Sequence, residues 1–304
     1  MGTSFWFDWE LGLMIFLQSK VTPFIQKLCE IITFFGDEYA MILIIGFLYW
    51  GYKKELGKKL GLYAITALMI SVDIKDVIKR RRPYFDHPAI RCIKPRSNEG
   101  GIYDIAVQGY SFPSAHAVNS VSTYSALGMN VKNKILKIFL IVCPLIIGLS
   151  RVTLGVHYPT DVIAGWLISI IAITLISLIQ NQYVIYGLII AMGIVGCFIS
   201  RSTDFYSSFG ISVGFIAGFI FEERFVKFEN TKNVFRMILR TALGIGIFLV
   251  LNTLFKLPFS EAFLESVSSL AFAVRTARYA VIVFLLIGVY PMAFKFVDKK
   301  ILKK

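Results

Sequence analysis

The chain has 304 residues, of which 56% are hydrophobic and 17% charged, with a mean hydropathy of +0.69. Soluble globular chains carry about 25% charged residues, so these values exclude an ordinary water-soluble domain. Recurring apolar runs long enough for a ~30 Å hydrocarbon layer indicate a multi-pass helical membrane protein. The formal charge of +13 fits basic cytoplasmic loops and contacts with anionic lipid heads better than a nucleic-acid surface.

Residues 5–35 are apolar but interrupted by Asp8, Glu10, Lys20, Lys27 and Glu30. Phe24, Leu28, Ile31, Ile32 and Phe35 recur at helical spacing with Gln26, Lys27 and Glu30 opposite, an amphipathic stripe that Pro23 separates from the piece before. The pattern is compatible with an interfacial helix and with an imperfect first span. Asp8 and Glu10 stand where a signal peptide has its basic n-region, so no cleaved signal is expected.

Apolar spans follow at roughly 39–52, 60–78, 115–129, 135–149, 162–179, 184–200, 207–221, 237–255 and 279–294. Basic residues cluster between them at Lys53, Lys54, Lys58 and Lys59, then at Lys132, Lys134 and Lys137. Further clusters are Arg224, Lys227, Lys232 and Arg236, then Lys295, Lys299, Lys300, Lys303 and Lys304. An even number of spans separates each cluster from the next, so one topology places all four in the cytoplasm. The run Lys79-Arg80-Arg81-Arg82, with Arg91, Lys94 and Arg96 after it, then falls on the outer side, where binding an anion would explain it. Gly210, Gly214 and Gly218 give one helix a smooth face, read as structural or dimerising. Of the four cysteines, Cys29, Cys143 and Cys197 lie in apolar stretches as packing residues, and Cys92 is left open.

Three polar sites stand out. Lys75 and Arg82 are seven apart, on one helix face, with Pro83 stopping the helix. A lysine inside a span is costly without a partner and is functional by default; Asp73 and Asp76 offer the alternative of a structural ion pair. Residues 111–116 read SFPSAH, where Ser114 can cap the next helix and the Ala115 and His116 amides face whatever sits there. Residues 150–161 read SRVTLGVHYPTD. If Pro159 opens a helix, Asp161 in its first turn reaches one ring nitrogen of His157 and leaves the other as a nucleophile. Arg151 adds a planar fork that matches phosphate. The plainer alternative is a helix start with an N-terminal acid and a surface histidine. By span parity the three sites share the outer mouth, where Lys75, Arg82, Ser114 and Arg151 around His116 and His157 describe a phosphate cradle.

Lys75-x6-Arg82-Pro83, Pro113-Ser114-Ala115-His116 and Ser150-Arg151-x5-His157-x3-Asp161 together resemble the signature of the type-2 phosphatidic-acid phosphatase family, whose anion site also resembles that of vanadium haloperoxidases. The resemblance covers roughly residues 38–180; Ala115 stands where the family more often has Gly. It implies that His157, oriented by Asp161, attacks phosphorus to form a phosphohistidine. His116 then protonates the leaving group and later activates water, while Lys75, Arg82, Ser114 and Arg151 hold the phosphoryl oxygens. Those cations would replace a metal, and no acidic cluster suited to magnesium is visible near them.

The expectation is therefore an all-α, multi-pass transmembrane helical bundle, a core of about six helices plus three or four C-terminal spans. Residues 1–37 would be the amphipathic or imperfect first helix, 38–182 the catalytic core and 183–304 additional spans. The expected activity is metal-independent, cofactor-free hydrolysis of a lipid phosphate or diphosphate at the outer face of the plasma membrane. A polyprenyl diphosphate or a phosphatidate-type lipid is the expected substrate, bound from the bilayer. Nucleic acid is not an expected partner, whereas a homodimer through the C-terminal helices is. The alternatives are a lipid phosphotransferase using the same phosphohistidine, a haloperoxidase holding vanadate, and a non-catalytic lipid transporter or receptor. Residues 84–112, with Gly100-Gly101 near their middle, form a long outer loop suited to a lid.

Overall fold

A computed structural model of the chain describes residues 2–97 and 101–294. Gly100 of the expected outer loop and the cluster Lys295, Lys299, Lys300, Lys303 and Lys304 lie outside the described residues. The chain is an all-α, multi-pass membrane protein; among the described residues the sole extended pairing is a bridge between Thr3 and Arg80. In order, the helices are α1 (Asp8–Ser19), α2 (Pro23–Phe34), α3 (Glu38–Gly46), α4 (Lys54–Ile78), α5 (Pro83–Asp86), α6 (Ile105–Gln108), α7 (Ala115–Ser120) and α8 (Ala126–Gly128). Then come α9 (Lys134–Thr153), α10 (Pro159–Leu178), α11 (Gln182–Ile199), α12 (Thr203–Phe221), α13 (Val234–Leu254), α14 (Glu261–Glu265) and α15 (Ser269–Phe284).

Local chemistry sets these boundaries. Asn133, Asn181, Ser202, Asn233 and Ser268 each accept a backbone N–H of the helix they precede. Pro23 and Pro159 open α2 and α10, where a missing N–H costs nothing. Among the described residues six helices are long and apolar enough to cross a membrane, seven if α2 and the helix after it, bent by 46° at their break, count as one span. Leu167, Ile170 and Ile171 on α10, like Ile135, Ile138 and Phe139 on α9, are exposed apolar side chains as lipid requires. Two expected spans are of another kind. α4 carries Asp73, Lys75 and Asp76 in its last turns, and residues 115–128 form a short helix, about 21 Å long at 1.5 Å per residue, through a π-helical turn at Val121–Ser125.

The chain clusters into two compact units, one of Met1–Met41 and Thr66–Leu178, the other of Ile42–Ile65 and Ile179–Lys304. All three sequence motifs fall in the first. Its core joins Met14 of α1, Ala117 of α7, Val152 of α9 and Val162 of α10 with Ile90 and Tyr158. α1 has 12 residues, about 18 Å, and is too short to span. It buries Glu10, Met14 and Gln18 while Trp9 and Phe16 stay exposed. On α2 the apolar stripe faces outward, with Phe24 76% exposed, and Lys27 and Glu30 pair at 3.5 Å.

In the second unit α12 lies along α15: a side chain at Gly210 or Gly214 would come within 2.4 Å of the Thr276 or Ala280 carbonyl. The smooth glycine face is thus covered within the chain. Lys54 pairs with Glu222 at 3.1 Å and Lys58 with Glu223. The last helix begins at Ser269, ten residues before the apolar run suggests, because Arg275 and Arg278 interrupt that run. Arg278 is buried and donates to Asn252 Oδ1 at 3.5 Å.

Candidate active site

The three motifs converge in the first unit. α4 ends at Ile78, and Lys79 after it takes φ 53°, a left-handed turn that a residue with a Cβ adopts at some cost. That turn sends Arg80 inward. One helical turn earlier, Lys75 donates Nζ to the carbonyls of Tyr110 at 3.1 Å and Pro113 at 2.9 Å, anchoring the strand that leads to Ser114. Arg82, 5% exposed, gives Nε to the Gln108 and Gly109 carbonyls and Nη1 to that of Val156 at 3.0 Å. One guanidinium therefore ties the segment at Gln108–Gly109 to the turn that carries His157.

Ser114 occupies the N-cap of α7, but its side chain makes no capping bond, and Oγ is buried with no hydrogen-bond partner among the described residues. Its backbone N–H donates to the Asp161 carbonyl at 3.0 Å. The approach of α10 to α7 requires Gly165, where a Cβ would lie 2.7 Å from the Ser114 carbonyl. Arg151, in the last turn of α9, is 4% exposed; Nη1 donates to Thr33 Oγ1 at 2.9 Å, and Nε has no hydrogen-bond partner among the described residues. Ser114 Oγ and Arg151 Nε thus remain available to an anion.

α10 starts at Pro159, with Asp161 in its first turn. Gly155, at φ 79°, forms the turn before it; a Cβ there would meet the Arg91 carbonyl at 2.1 Å. His157 is 3% exposed, and its Nδ1 lies 3.4 Å from Asp161 Oδ2 without the alignment of a hydrogen bond. Burial, reinforced by the positive charges of Arg82, Arg151 and Lys75, holds the imidazole well below its usual pKa. It is neutral at physiological pH, as a nucleophile must be. Asp161 is fully buried: Oδ1 accepts from Arg80 at 2.7 Å, and Oδ2 accepts from Ser111 Oγ and the Tyr158 N–H, each at 2.8 Å.

His116 has a carboxylate of its own, Asp37 Oδ1 at 3.0 Å from Nε2, presented by the break between α2 and α3. Two buried amide side chains hold the loop that follows α5. Gln108, fully buried, bonds Arg96 N–H and the Ser97 carbonyl, and Gln18 of α1 takes both backbone groups of Arg91.

The candidates Lys75, Arg82, Ser114, His116, Arg151, His157 and Asp161 therefore occupy one region. The basic run is divided differently from the expectation that it binds an anion as a whole: Arg80 pairs with Glu10 and Asp161, and Arg81 with Asp86 at 2.5 Å. Arg91 faces Gln18. Asp37 and Thr33 were not singled out by sequence reasoning, and Arg80, Glu10 and Ser111 were noted there without the partnerships found here. The available signals were a charged pair, Asp37-Glu38, dividing two apolar stretches and an acid in an otherwise apolar N-terminal helix. Among the described residues no three His, Cys, Asp or Glu side chains converge as a metal cage.

A family model described as the PAP2 superfamily matches residues 57–185, and one described as a PAP2 superfamily phosphatase transmembrane extension matches residues 206–300. A decaprenylphosphoryl-5-phosphoribose phosphatase of Mycobacterium tuberculosis is 30% identical over 161 residues, covering 51% of this chain and 82% of the relative. An undecaprenyl-diphosphatase of Sulfolobus acidocaldarius is 29% identical over 159 residues, 52% of this chain and 64% of the relative. The crystal structure of a transmembrane PAP2 type phosphatidylglycerolphosphate phosphatase from Bacillus subtilis aligns with a TM-score of 0.43 and 23% identity, over 56% of this chain and 86% of that one.

Proposed function

The chain belongs to the PAP2 superfamily, and from that premise we propose that it is a metal-independent lipid phosphate or diphosphate hydrolase working through a phosphohistidine at His157. Its relatives are lipid and polyprenyl phosphatases, and lipid phosphatase activity is the level at which they agree.

The observation that carries the mechanism is His157 itself, buried and neutral, with Asp161 on its Nδ1 side and three cations around it. Nε2 attacks phosphorus, and the bond from phosphorus to the bridging oxygen breaks. His116 gives its proton to that oxygen, so the lipid leaves as an alcohol, or as a monophosphate from a diphosphate. Asp161 offsets the positive charge that develops on the His157 ring. Water then attacks phosphorus, His116 takes the water's proton, and the electron pair of the P–N bond returns to Nε2. Lys75, Arg82, Ser114 and Arg151 hold the non-bridging oxygens throughout, supplying the charge stabilisation that a metal would otherwise give.

The substrate class that fits best is a polyprenyl diphosphate or a related polyprenyl phosphate. Two relatives are named for polyprenyl substrates, and Lys94 and Arg96 add positive charge to the loop over the mouth. The distribution of basic loops supports a mouth on the outer side of the plasma membrane. Phosphate release from a polyprenyl diphosphate, phosphatidate and phosphatidylglycerophosphate, measured side by side for the wild type and His157→Ala, tests the reading. Release that survives His157→Ala, or the absence of release from every lipid in the panel, overturns it.

A further inference from the structure

The catalytic carboxylate is held by a chain of buried charges that begins outside the matched catalytic region. Glu10 of α1, fully buried, takes four hydrogen bonds. Its Oε1 accepts from the Thr160 N–H at 3.0 Å and Thr160 Oγ1 at 2.6 Å, and its Oε2 accepts from the Phe7 N–H and Arg80 Nη2, each at 2.9 Å. Arg80, also fully buried, gives Nη1 to Thr160 Oγ1 and Asp161 Oδ1, each at 2.7 Å, and Nε to the Phe5 carbonyl at 2.9 Å. Its guanidinium lies 3.8 Å over the Tyr158 ring and 4.4 Å over that of Phe5.

The geometry points to Glu10 and Arg80 as positioning residues for the phosphoryl-transfer step, a role that rests on the assignment of His157 and Asp161 above. Arg80 pins Oδ1 and so fixes the carboxylate plane with Oδ2 toward His157 Nδ1. A planar fork does this as a lysine cannot. Glu10 has a separate effect. An arginine shared with Asp161 alone would cancel the charge that the imidazole needs when it carries the phosphoryl group. With Glu10 as a second claimant, the triad of two carboxylates and one guanidinium keeps a net negative charge beside the ring. A buried arginine left with one carboxylate satisfies charge; one left with two preserves a field. α1 therefore completes the nucleophile from outside the residues that carry the family's motifs.

The test compares Glu10→Gln and Arg80→Lys with Asp161→Asn and the corresponding double variants in purified full-length protein, with thermal unfolding recorded for each. Partners that orient the histidines of metal sites are worth about 10–100-fold, and a loss in kcat of that size is expected for Glu10→Gln. The lipid KM and the inhibition constant of inorganic phosphate, which read the cradle, should stay at their wild-type values. Residues that act as a unit are non-additive, so Glu10→Gln combined with Asp161→Asn should be no slower than Asp161→Asn alone. Arg80→Lys keeps the charge and loses the fork, and it should give the same kcat loss with the same unchanged phosphate inhibition. Wild-type kcat in both single variants overturns the proposal. Losses that multiply with Asp161→Asn, or that weaken phosphate inhibition in step, also overturn it, because they describe an anchor for α1 and nothing more. Full turnover in Asp161→Asn or His157→Ala removes the nucleophile assignment instead, whatever Glu10 does.

Discussion

His116 Nε2 sits 3.0 Å from Asp37 Oδ1, a carboxylate 79 positions earlier in the chain and fixed at the bend between α2 and α3. Each histidine of the site therefore has its own acid, Asp161 for His157 and Asp37 for His116. A carboxylate on one ring nitrogen selects the tautomer and orients the ring for proton transfer. Asp37→Asn is expected to slow hydrolysis of a lipid monoester about 10–100-fold, part of the ~10²–10⁴ that general acid help contributes. An activated aryl phosphate, whose leaving group needs no proton, should be cleaved at nearly the wild-type burst rate. Equal losses on both substrates contradict the pairing.

Topology is open to labelling. With Cys92 replaced as background, a cysteine at Tyr103, which is 64% exposed, should react with an impermeant thiol reagent applied outside intact cells. A cysteine at Lys134, at the start of α9, should be protected. The opposite pattern puts the catalytic mouth in the cytoplasm.

The depressed pKa of His157 has two consequences with a definite sign. An unperturbed imidazole titrates near 6.5; His157, buried and surrounded by Arg82, Arg151 and Lys75, stays neutral below that. As pH falls through about 6.5 the unfolded chain binds a proton there that the native chain does not, so this contribution to stability is present above 6.5 and lost on acidification. The nucleophile likewise remains active as pH drops through the same value. Imidazole NMR of the labelled protein should show a His157 resonance, assigned by its absence in His157→Ala, that does not titrate near 6.5. Titration there contradicts the environment described.

What could be read from the sequence was local. The approach of Asp161 to His157 depends on a four-residue spacing around Pro159, and the place of Ser114 at the head of α7 on residues beside it, so the order of residue types was enough; the capping bond expected of the Ser114 side chain is not made. The partners missed lie far away in sequence: Glu10 is separated from Arg80 by 70 positions and from Thr160 by 150. Arg80 lies within a run of four basic residues, where composition suggests a solvated or anion-binding face and gives no sign that one member is fully buried. The span pattern failed where charge interrupts an apolar run. Arg275 and Arg278 hid the first ten residues of α15, although the Ser268 cap marked its start. The Gly210, Gly214 and Gly218 face was legible as a packing surface, and its partner, α15 and Ile287 just after it in the same chain, was not.

Side-chain cations around the phosphoryl site lead to a prediction about metals. In the proposed mechanism Lys75, Arg82 and Arg151 carry the charge that phosphoryl transfer must neutralise, so activity on a lipid phosphate is expected to persist in excess chelator. Vanadate, which can adopt the trigonal geometry of the transferring phosphoryl group, should inhibit competitively, and Arg151→Ala should weaken that inhibition. Activity lost on chelation and restored by magnesium rules out the mechanism.

The roles of the two histidines separate in a burst experiment. His157→Ala has no group to accept the phosphoryl, and turnover should fall to background on every substrate. Asp161→Asn keeps much of the geometry but loses the charge beside the ring, leaving low, measurable turnover. His116→Ala should depend on the leaving group. A lipid alkoxide departs poorly without a proton, and the loss there should reach about 10²–10⁴-fold. An aryl phosphate leaves unaided, so the same variant should still release one equivalent of phenol rapidly. It should then stall, because His116 is also the base that activates water. Phosphohistidine should accumulate at His157, detectable as an acid-labile, base-stable phosphate on the protein. The burst exposes the assignment: if His157→Ala shows it and His116→Ala does not, the nucleophile is His116 and the two roles are exchanged.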